Sequence, residues 1–418
     1  MSPELISILV LAVVFAVATT RSINMGVLAF AAAFGVGELV ADLDADGIFA
    51  GFPGDLFVVL VGITYLFAIA RANGTTDWLV RAAIRLVGGR IALIPWVMFV
   101  ITAALTGIGA LSPAAVAVVA PIALGFAQRY GISPLLMGGM VIHGAQGGGF
   151  SPISVYGSIV NGIMDREGLP GNELVLFLAS LVANLLIAGV LFVTLGGPRL
   201  SGREDDTPRD ADQEDDGATG LTPARAATLA ALAALVFAVL VLDLDAGLTA
   251  VTLAVVLNIF WPDEGRRAVS EIAWSTVLLI CGVLTYVGVL EEMGTITWAG
   301  DAVGDIGVPL LAAVVLCYIG ALISAFASSV GIMGALIPLA VPFLAQGEIG
   351  AVGMVAALAV SATVVDVSPF STNGALVLAA APEDRRERFF RQLMMYGGAV
   401  VAVVPAAAWL VLVVPGLG

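Results

Sequence analysis

Two segments of this 418-residue chain carry residue types suited to binding small ions, at corresponding places. The first reads His143-Gly144-Ala145-Gln146-Gly147-Gly148-Gly149-Phe150-Ser151-Pro152-Ile153-Ser154. The second reads Ser361-Ala362-Thr363-Val364-Val365-Asp366-Val367-Ser368-Pro369-Phe370-Ser371-Thr372-Asn373-Gly374. Glycine and proline weaken a helix, so each segment is expected to break in the middle. A broken helix exposes backbone N–H groups at one new end and carbonyls at the other, the first attracting anions and the second cations. Ser151-Pro152-Ile153-Ser154 and Ser368-Pro369-Phe370-Ser371 are related by an offset of 217. Pro152 and Pro369 stand where a proline opening the second half-helix belongs. The candidate anion ligands are therefore Ser151, Pro152, Ser154, Ser368, Pro369, Ser371, Thr372 and Asn373.

Single residues add to this. Asp366 is the one acid deep inside an apolar segment; an intramembrane carboxylate is costly enough to imply a purpose, either a cation or proton site or a structural bond with neighbouring backbone. His143, the only histidine, is either a proton-coupling group or a packing histidine bonded to a carbonyl. Ser151 with His143 also admits an intramembrane serine hydrolase. Their eight-residue separation, more than two helical turns, fits that poorly. Cys281 and Cys317 lie in apolar segments without Cys/His ligand spacing and are expected to pack.

These residues must be positioned by a membrane fold. Hydrophobic residues make up 60 % of the chain, and the mean hydropathy is +1.06. Apolar runs of 16 to 20 residues match a hydrocarbon core of roughly 30 Å. Expected crossings are 5–20, 23–40, 56–72, 133–164, 173–196, 224–242, 246–260, 272–290, 350–380 and 393–414. The run Leu5–Thr20 lacks a basic leader and is expected to be retained. Two interrupted regions, 91–128 and 307–345, read as re-entrant hairpins. The first has arms Ile91–Gly107 and Ala114–Gln128, and a 15-residue arm spans only about 22 Å. The tips contribute Ser112, Pro113, Ser328 and Ser329 as further candidate anion ligands. With no lysine in the chain and arginine only at the ends of crossings, Arg71 in 56–72 and Arg225 in 224–242, an anion deep in the membrane would be held by helix N-termini, hydroxyls and amides.

The chain also repeats itself. Gly62-Ile63-Thr64-Tyr65, Asn73-Gly74-Thr75 and Trp78 recur as Gly282-Val283-Leu284-Thr285, Met293-Gly294-Thr295 and Trp298, at an offset of 220. Arg71 to Arg90 carries four arginines where Glu291 to Asp305 carries four acids. Cytoplasmic loops are basic, so the copies should face opposite ways, and an inverted repeat in a hydrophobic chain is a transporter signature. The expected fold is an all-α polytopic membrane protein of two inverted repeats, each with five crossings and one hairpin and with helices broken at the midplane. Repeat 1 covers 1–196, an acidic cytoplasmic linker 197–222, and repeat 2 covers 223–418. This threading puts sixteen of the seventeen arginines on one side and only Arg166 on the other. Both termini are then extracytoplasmic, in the cell's inner or plasma membrane. Thr75–Val87 reads as an interfacial amphipathic helix, anchored by Trp78 with Arg81 and Arg85 reaching headgroups. A net charge of −15 argues against nucleic-acid binding.

The N-terminal part resembles the MatC-type dicarboxylate (malonate) carriers, of the ion transporter superfamily that includes the divalent anion/sodium symporters. The residues carrying the likeness are Ser22-Ile23-Asn24-Met25-Gly26, Gly51-Phe52-Pro53-Gly54-Asp55-Leu56-Phe57 and Thr64-Tyr65-Leu66-Phe67-Ala68-Ile69-Ala70. Leu111-Ser112-Pro113-Ala114-Ala115-Val116, His143-Gly144-Ala145-Gln146 and Gly149-Phe150-Ser151-Pro152-Ile153-Ser154-Val155-Tyr156-Gly157 add to it. The resemblance implies a homodimer and elevator-type alternating access, with uptake of small dicarboxylates such as malonate or succinate. It places substrate and cation sites at hairpin tips and helix breaks. Coupling would involve Asp366, Gln146, Gly147, Gly148 and His143, and sodium could sit at Ser112, Gly149, Ser329 and Asp366. The sodium-coupled relatives carry Ser-Asn-Thr at both tips, where this chain has Leu111-Ser112-Pro113 and Ser328-Ser329-Val330, so a proton stands beside sodium as the coupling ion. No other cofactor is expected; the partners are the substrate, lipids and a second copy. The alternative within transport is the membrane subunit of a binding-protein-dependent carboxylate transporter.

Overall fold

The computed structural model describes residues 2–21, 23–85, 90–201, 220–242, 244–296, 298, 309–325, 329–345, 347 and 349–417, and among them it is helical without a strand. The first half forms α1 (Pro3–Arg21), α2 (Met25–Leu39), α3 (Ala45–Ala50), α4 (Gly54–Ala72), α5 (Thr75–Arg85), α6 (Ile94–Gly107), α7 (Ser112–Tyr130), α8 (Pro134–Gly148), α9 (Val155–Arg166) and α10 (Glu173–Thr194). The second half forms α11 (Pro223–Leu242), α12 (Ala246–Phe260), α13 (Pro262–Ser270), α14 (Trp274–Glu292), α15 (Pro309–Ser324), α16 (Ser329–Ala345), α17 (Ala351–Val364), α18 (Thr372–Ala379) and α19 (Glu383–Ala408). Of the expected linker, residues 202–219 lie outside the described residues, as do the side chains of Arg81 and Arg85 on α5.

Five helical stretches are long and apolar enough to cross a membrane alone: Gly54–Ala72, Ser112–Tyr130, Glu173–Thr194, Trp274–Glu292 and Arg385–Val413. Seven shorter apolar helices accompany them. The expected crossings 133–164 and 350–380 are each two helices, α8 with α9 and α17 with α18. Hairpin 91–128 is α6 and α7, but its second arm is longer than expected. Ser112 and Pro113 begin α7 rather than belonging to the turn, because proline's fixed φ and missing N–H suit a first helical turn. At its other end α7 runs on to Tyr130 and stops at Gly131, which is left-handed at φ 65°.

The two halves of the chain interlock. α2 packs against α14 and α12 against α4, each helix against one from the other half. Glycines make both crossings possible: a Cβ at Gly282 would stand 2.0 Å from the Gly26 carbonyl oxygen, and one at Gly62 would stand 2.5 Å from that of Gly247. Small residues at such crossings let backbones approach where no hydrophobic driving force acts between helices. Asn24 caps α2 and Asp245 caps α12, each through its side chain. A second group gathers around α8 and α17, which are buried almost throughout. There α6, α7 and α10 pack on α8, while α10, α15, α16 and α19 pack on α17. The outer face of α10 shows Leu174, Leu178, Val182, Leu186 and Val190, while Ser180 and Asn184 point inward and are buried. That inversion of the soluble pattern is what lipid demands.

Candidate functional site

The two breaks are built by the same bonds. In the first, Ser154 Oγ donates to the carbonyls of Gly149 and Ser151, and Gly157 N–H donates to Gly149 O at 3.2 Å. In the second, Ser371 Oγ donates to the carbonyls of Asp366 and Ser368, and Gly374 N–H donates to Asp366 O at 3.1 Å. Each partner is displaced by 217 residues. Carbonyls freed at the end of α8 and α17 are thus recaptured by a hydroxyl, as buried backbone groups require. Ser154 and Ser371 hold the turns together and are buried.

Asp366 follows α17 and is 4 % exposed. Its Oδ2 accepts from Gln146 Nε2 at 2.9 Å and from Asn373 Nδ2 at 2.8 Å. Asn373 Nδ2 also reaches Ser112 Oγ at 2.7 Å, which ties the second break to the first hairpin tip. The Asp366 carboxylate thereby joins three of the residues picked out in the sequence, Ser112 on α7, Gln146 on α8 and Asn373 on α18. Two amide oxygens in this cluster, Gln146 Oε1 and Asn373 Oδ1, are buried without a hydrogen-bond partner. Orphaned buried acceptors beside a carboxylate mark a place for a bound cation or water.

A cavity of about 650 Å³ lies between the interlocked helices and the α8/α17 group. Asp366 lines it, together with Pro113 on α7, Tyr156 on α9, Ser329 on α16 and Thr372 on α18. First turns of four helices therefore line one space, which brings the partial positive charge of helix N-termini to it. The opposite wall includes Thr64 and, toward one end, Arg71 and Glu271. Sequence reasoning missed Tyr156, which hydrogen-bonds Ser112, and the Arg71–Glu271 pair, whose members are 200 residues apart.

The remaining candidates are more dispersed. Ser151 Oγ donates to Gly107 O at 2.5 Å, fastening the first break to the tip of α6. Ser324 Oγ lies 2.8 Å from Ser329 Oγ and 2.5 Å from Ala362 O, fastening the second hairpin to α17. Ser328 lies outside the described residues. Ser368, Pro369 and Gly149 are buried, Pro152 is half-buried, and none of the four lines the cavity. The glycines of α8 serve packing: a Cβ at Gly144 or Gly148 would stand 2.3 Å from Phe99 O or 2.0 Å from Ala103 O of α6. Gly147 faces Asn184 and Leu181.

His143 is buried, with both ring nitrogens hydrogen-bonded within the fold. Asn184 Nδ2 donates to Ser180 O, which turns Asn184 Oδ1 toward His143 Nδ1 at 2.8 Å. Nδ1 therefore carries the proton, and Nε2 accepts from Tyr396 O–H at 2.5 Å. With both ring nitrogens taken by α10 and α19, none is left for Ser151, and the hydrolase dyad does not form. Among the described residues no three of His, Cys, Asp and Glu group as metal ligands.

In sequence, no curated protein matches this chain. In structure, the chain is similar to the YdaH transporter of Alcanivorax borkumensis, whose crystal structure is described as having an unusual topology. The TM-score is 0.59 at 16 % identity, over 98 % of both chains. At that identity the likeness is one of fold. The family comparison coincides with the part of the sequence where the resemblance is dense: residues 1–149 match the family described as dicarboxylate carrier protein MatC N-terminus.

Proposed function

We propose that this protein is a secondary active transporter of the cell's inner or plasma membrane that moves a small dicarboxylate such as malonate or succinate, coupled to a sodium or proton gradient. The observation that carries the reading is the convergence of four helix first turns, on α7, α9, α16 and α18, on one cavity whose inner end has no cationic side chain. Such a site holds an anion by backbone N–H groups and hydroxyls. The MatC N-terminal match over residues 1–149 supplies the substrate class.

The carboxylates of the substrate would face the first turns beginning at Ser112, Ser329 and Thr372, with Tyr156 as a side-chain donor. Asp366 lies at the same cavity and offers negative charge beside two orphaned amide oxygens. A sodium ion fits that donor set, all oxygen and one formal charge. A proton on Asp366 would satisfy the charge but leave both oxygens orphaned, so the donor set favours sodium. Neutralised by the cation, the loaded site can cross as a rigid body, with α6–α10 and α15–α19 shifting against α1–α5 and α11–α14. A homodimer would hold the latter group still, and the Arg71 end of the cavity would be the cytoplasmic one.

The deciding experiment is uptake of radiolabelled malonate by proteoliposomes of the purified chain, under an inward sodium gradient or an inward proton gradient. Accumulation under the sodium gradient alone is the expected result. No accumulation of malonate or succinate under either, with the protein folded, would overturn the reading and revive a carrier that needs a separate binding protein.

A further inference from the structure

The cavity has one arginine in its lining, Arg71, and it stands away from the ion cluster, in the last turn of α4. From Thr64, which lines the inner part, it is two turns along the helix, about 10 Å at the helical rise. Its guanidinium holds Glu271 by two nitrogens, Nε at 2.9 Å and Nη2 at 2.5 Å, both on Oε2. Both side chains remain about 40 % exposed, at 43 % and 39 %.

This pair is oddly placed for a structural ion bridge. Exposed pairs contribute little net stability, since each partner is nearly as well satisfied by water. It instead puts the one guanidinium lining the cavity among the described residues at the end away from Asp366, already bound to a carboxylate. An arginine fork is shaped for carboxylates, and it cannot be deprotonated. We infer that Arg71 is an entry and exit site for the carboxylate substrate, at which Glu271 occupies the guanidinium as an internal competitor until a substrate carboxylate displaces it. This inference rests on the dicarboxylate reading for its substrate class. Glu271 here does two things. It keeps Arg71 extended into the cavity when substrate is absent, and it keeps the complex with substrate weak. A guanidinium without a competitor would hold a dianion too firmly to pass it inward, because a conduction site must bind loosely enough to release. Exchange of one carboxylate for another keeps the guanidinium paired throughout, and the displaced Glu271 carboxylate, 39 % exposed, is taken up by water.

The test combines kinetics with a footprint that needs no mutant. For uptake of malonate into proteoliposomes, Arg71→Ala is expected to raise KM about tenfold, the scale of one charge-assisted contact, with Arg71→Lys intermediate. Glu271→Gln, by removing the competitor, is expected to lower KM about threefold. In parallel, wild-type protein in nanodiscs is treated with phenylglyoxal, and modification of Arg71 is read by peptide mass spectrometry with malonate or with chloride at equal ionic strength. Malonate is expected to slow modification of Arg71 several-fold while leaving Arg166 unaffected. If the wild type takes up malonate, but Arg71 is not shielded or KM in Arg71→Ala stays within twofold, the inference is overturned and the carrier reading stands. If Arg71 is shielded while neither gradient drives uptake, the carrier reading falls and the carboxylate site stands. Absence of both uptake and shielding overturns both.

Discussion

At Asp366, Oδ2 accepts hydrogen bonds from the amides of Gln146 and Asn373, while the residue's own backbone carbonyl closes the second helix break. Replacing it with asparagine keeps the volume but removes the charge that would pair with a cation. Asp366→Asn is expected to lower gradient-driven malonate accumulation by about tenfold or more, the scale of losing a charged hydrogen-bond partner. Accumulation equal to wild type under the same gradient would remove Asp366 from coupling. Glu167, at the end of α9 and outside the crossing, gives a different kind of test. Burial first, then the charge of Glu291, raise its pKa from 4.5 to about 7, against the opposing effect of Arg166. The charged groups around it are Glu291 and Arg166, with Asp55 bridged to Arg166. Between pH 4.5 and 7 the folded protein therefore binds a proton that the unfolded chain has released. Linkage then makes stability fall as pH rises through that window and level off above it. In Glu167→Gln that part of the slope is expected to vanish, so that melting curves of the two proteins coincide near pH 4.5 and the mutant is the more stable at pH 8. Parallel curves over the whole range would show that Glu167 is not the group responsible.

At the level of elements, the two breaks depend on glycine as much as on serine. A Cβ at Gly157 would lie 2.0 Å from Ser151 O, and one at Gly374 would lie 1.8 Å from Ser368 O. Gly157→Ala and Gly374→Ala should each cost about 1–3 kcal/mol, as overpacking does, and reduce uptake by shifting the first turns of α9 and α18. Gly189→Ala, where nothing lies within 4 Å of the added carbon, should change stability by less than about 0.5 kcal/mol. Melting temperatures and uptake rates for the three proteins, measured side by side, check this. Equal behaviour of Gly374→Ala and Gly189→Ala would mean that the break tolerates displacement. The same breaks were the most legible part of the chain, because glycine, proline and hydroxyls inside an apolar run have few other uses. Less legible were features set by partners distant in sequence. His143 could not be read as a packing residue without Asn184, 41 residues on, and Tyr396, 253 residues on. Gly144 and Gly148 looked like part of the break, yet they serve the approach of α6, a matter of backbone distance rather than residue type. α3 and α13 escaped notice because six and nine residues are too few for a periodic signal, and α13 carries four charges besides.

For the whole molecule, the arrangement of contacts suggests which end of the cavity is shut. Arg71 and Glu271 line the cavity, whereas Arg166 at the end of α9 reaches across to Asp55 at 3.3 Å and to Gly51 O at 3.4 Å. Asp55 and Gly51 belong to the interlocked group and Arg166 to the group around α8. Below that link, Leu56 of α4 meets Gly162 of α9, so closely that a Cβ on Gly162 would lie 2.5 Å from Leu56 Cδ2. If transport requires one group to slide past the other, a bond at this point should stop it. The pair Leu56→Cys and Gly162→Cys, in a background with the two native cysteines, Cys281 and Cys317, replaced by serine, offers that bond. Truncating Leu56 to cysteine also removes the methyl groups that would otherwise collide with the new side chain. Oxidation is expected to bring malonate accumulation to background and reduction to restore it, with each single cysteine unaffected by either treatment. Since the contact joins the groups only on the Arg166 side, the trapped protein should keep the Arg71 end accessible. A membrane-impermeant thiol reagent applied from each side to a cysteine at Thr276, on the cavity wall, would report which side that is. Undiminished uptake by fully crosslinked protein would show that α4 and α9 move together, and the division of the molecule into a fixed and a moving part would have to be drawn elsewhere.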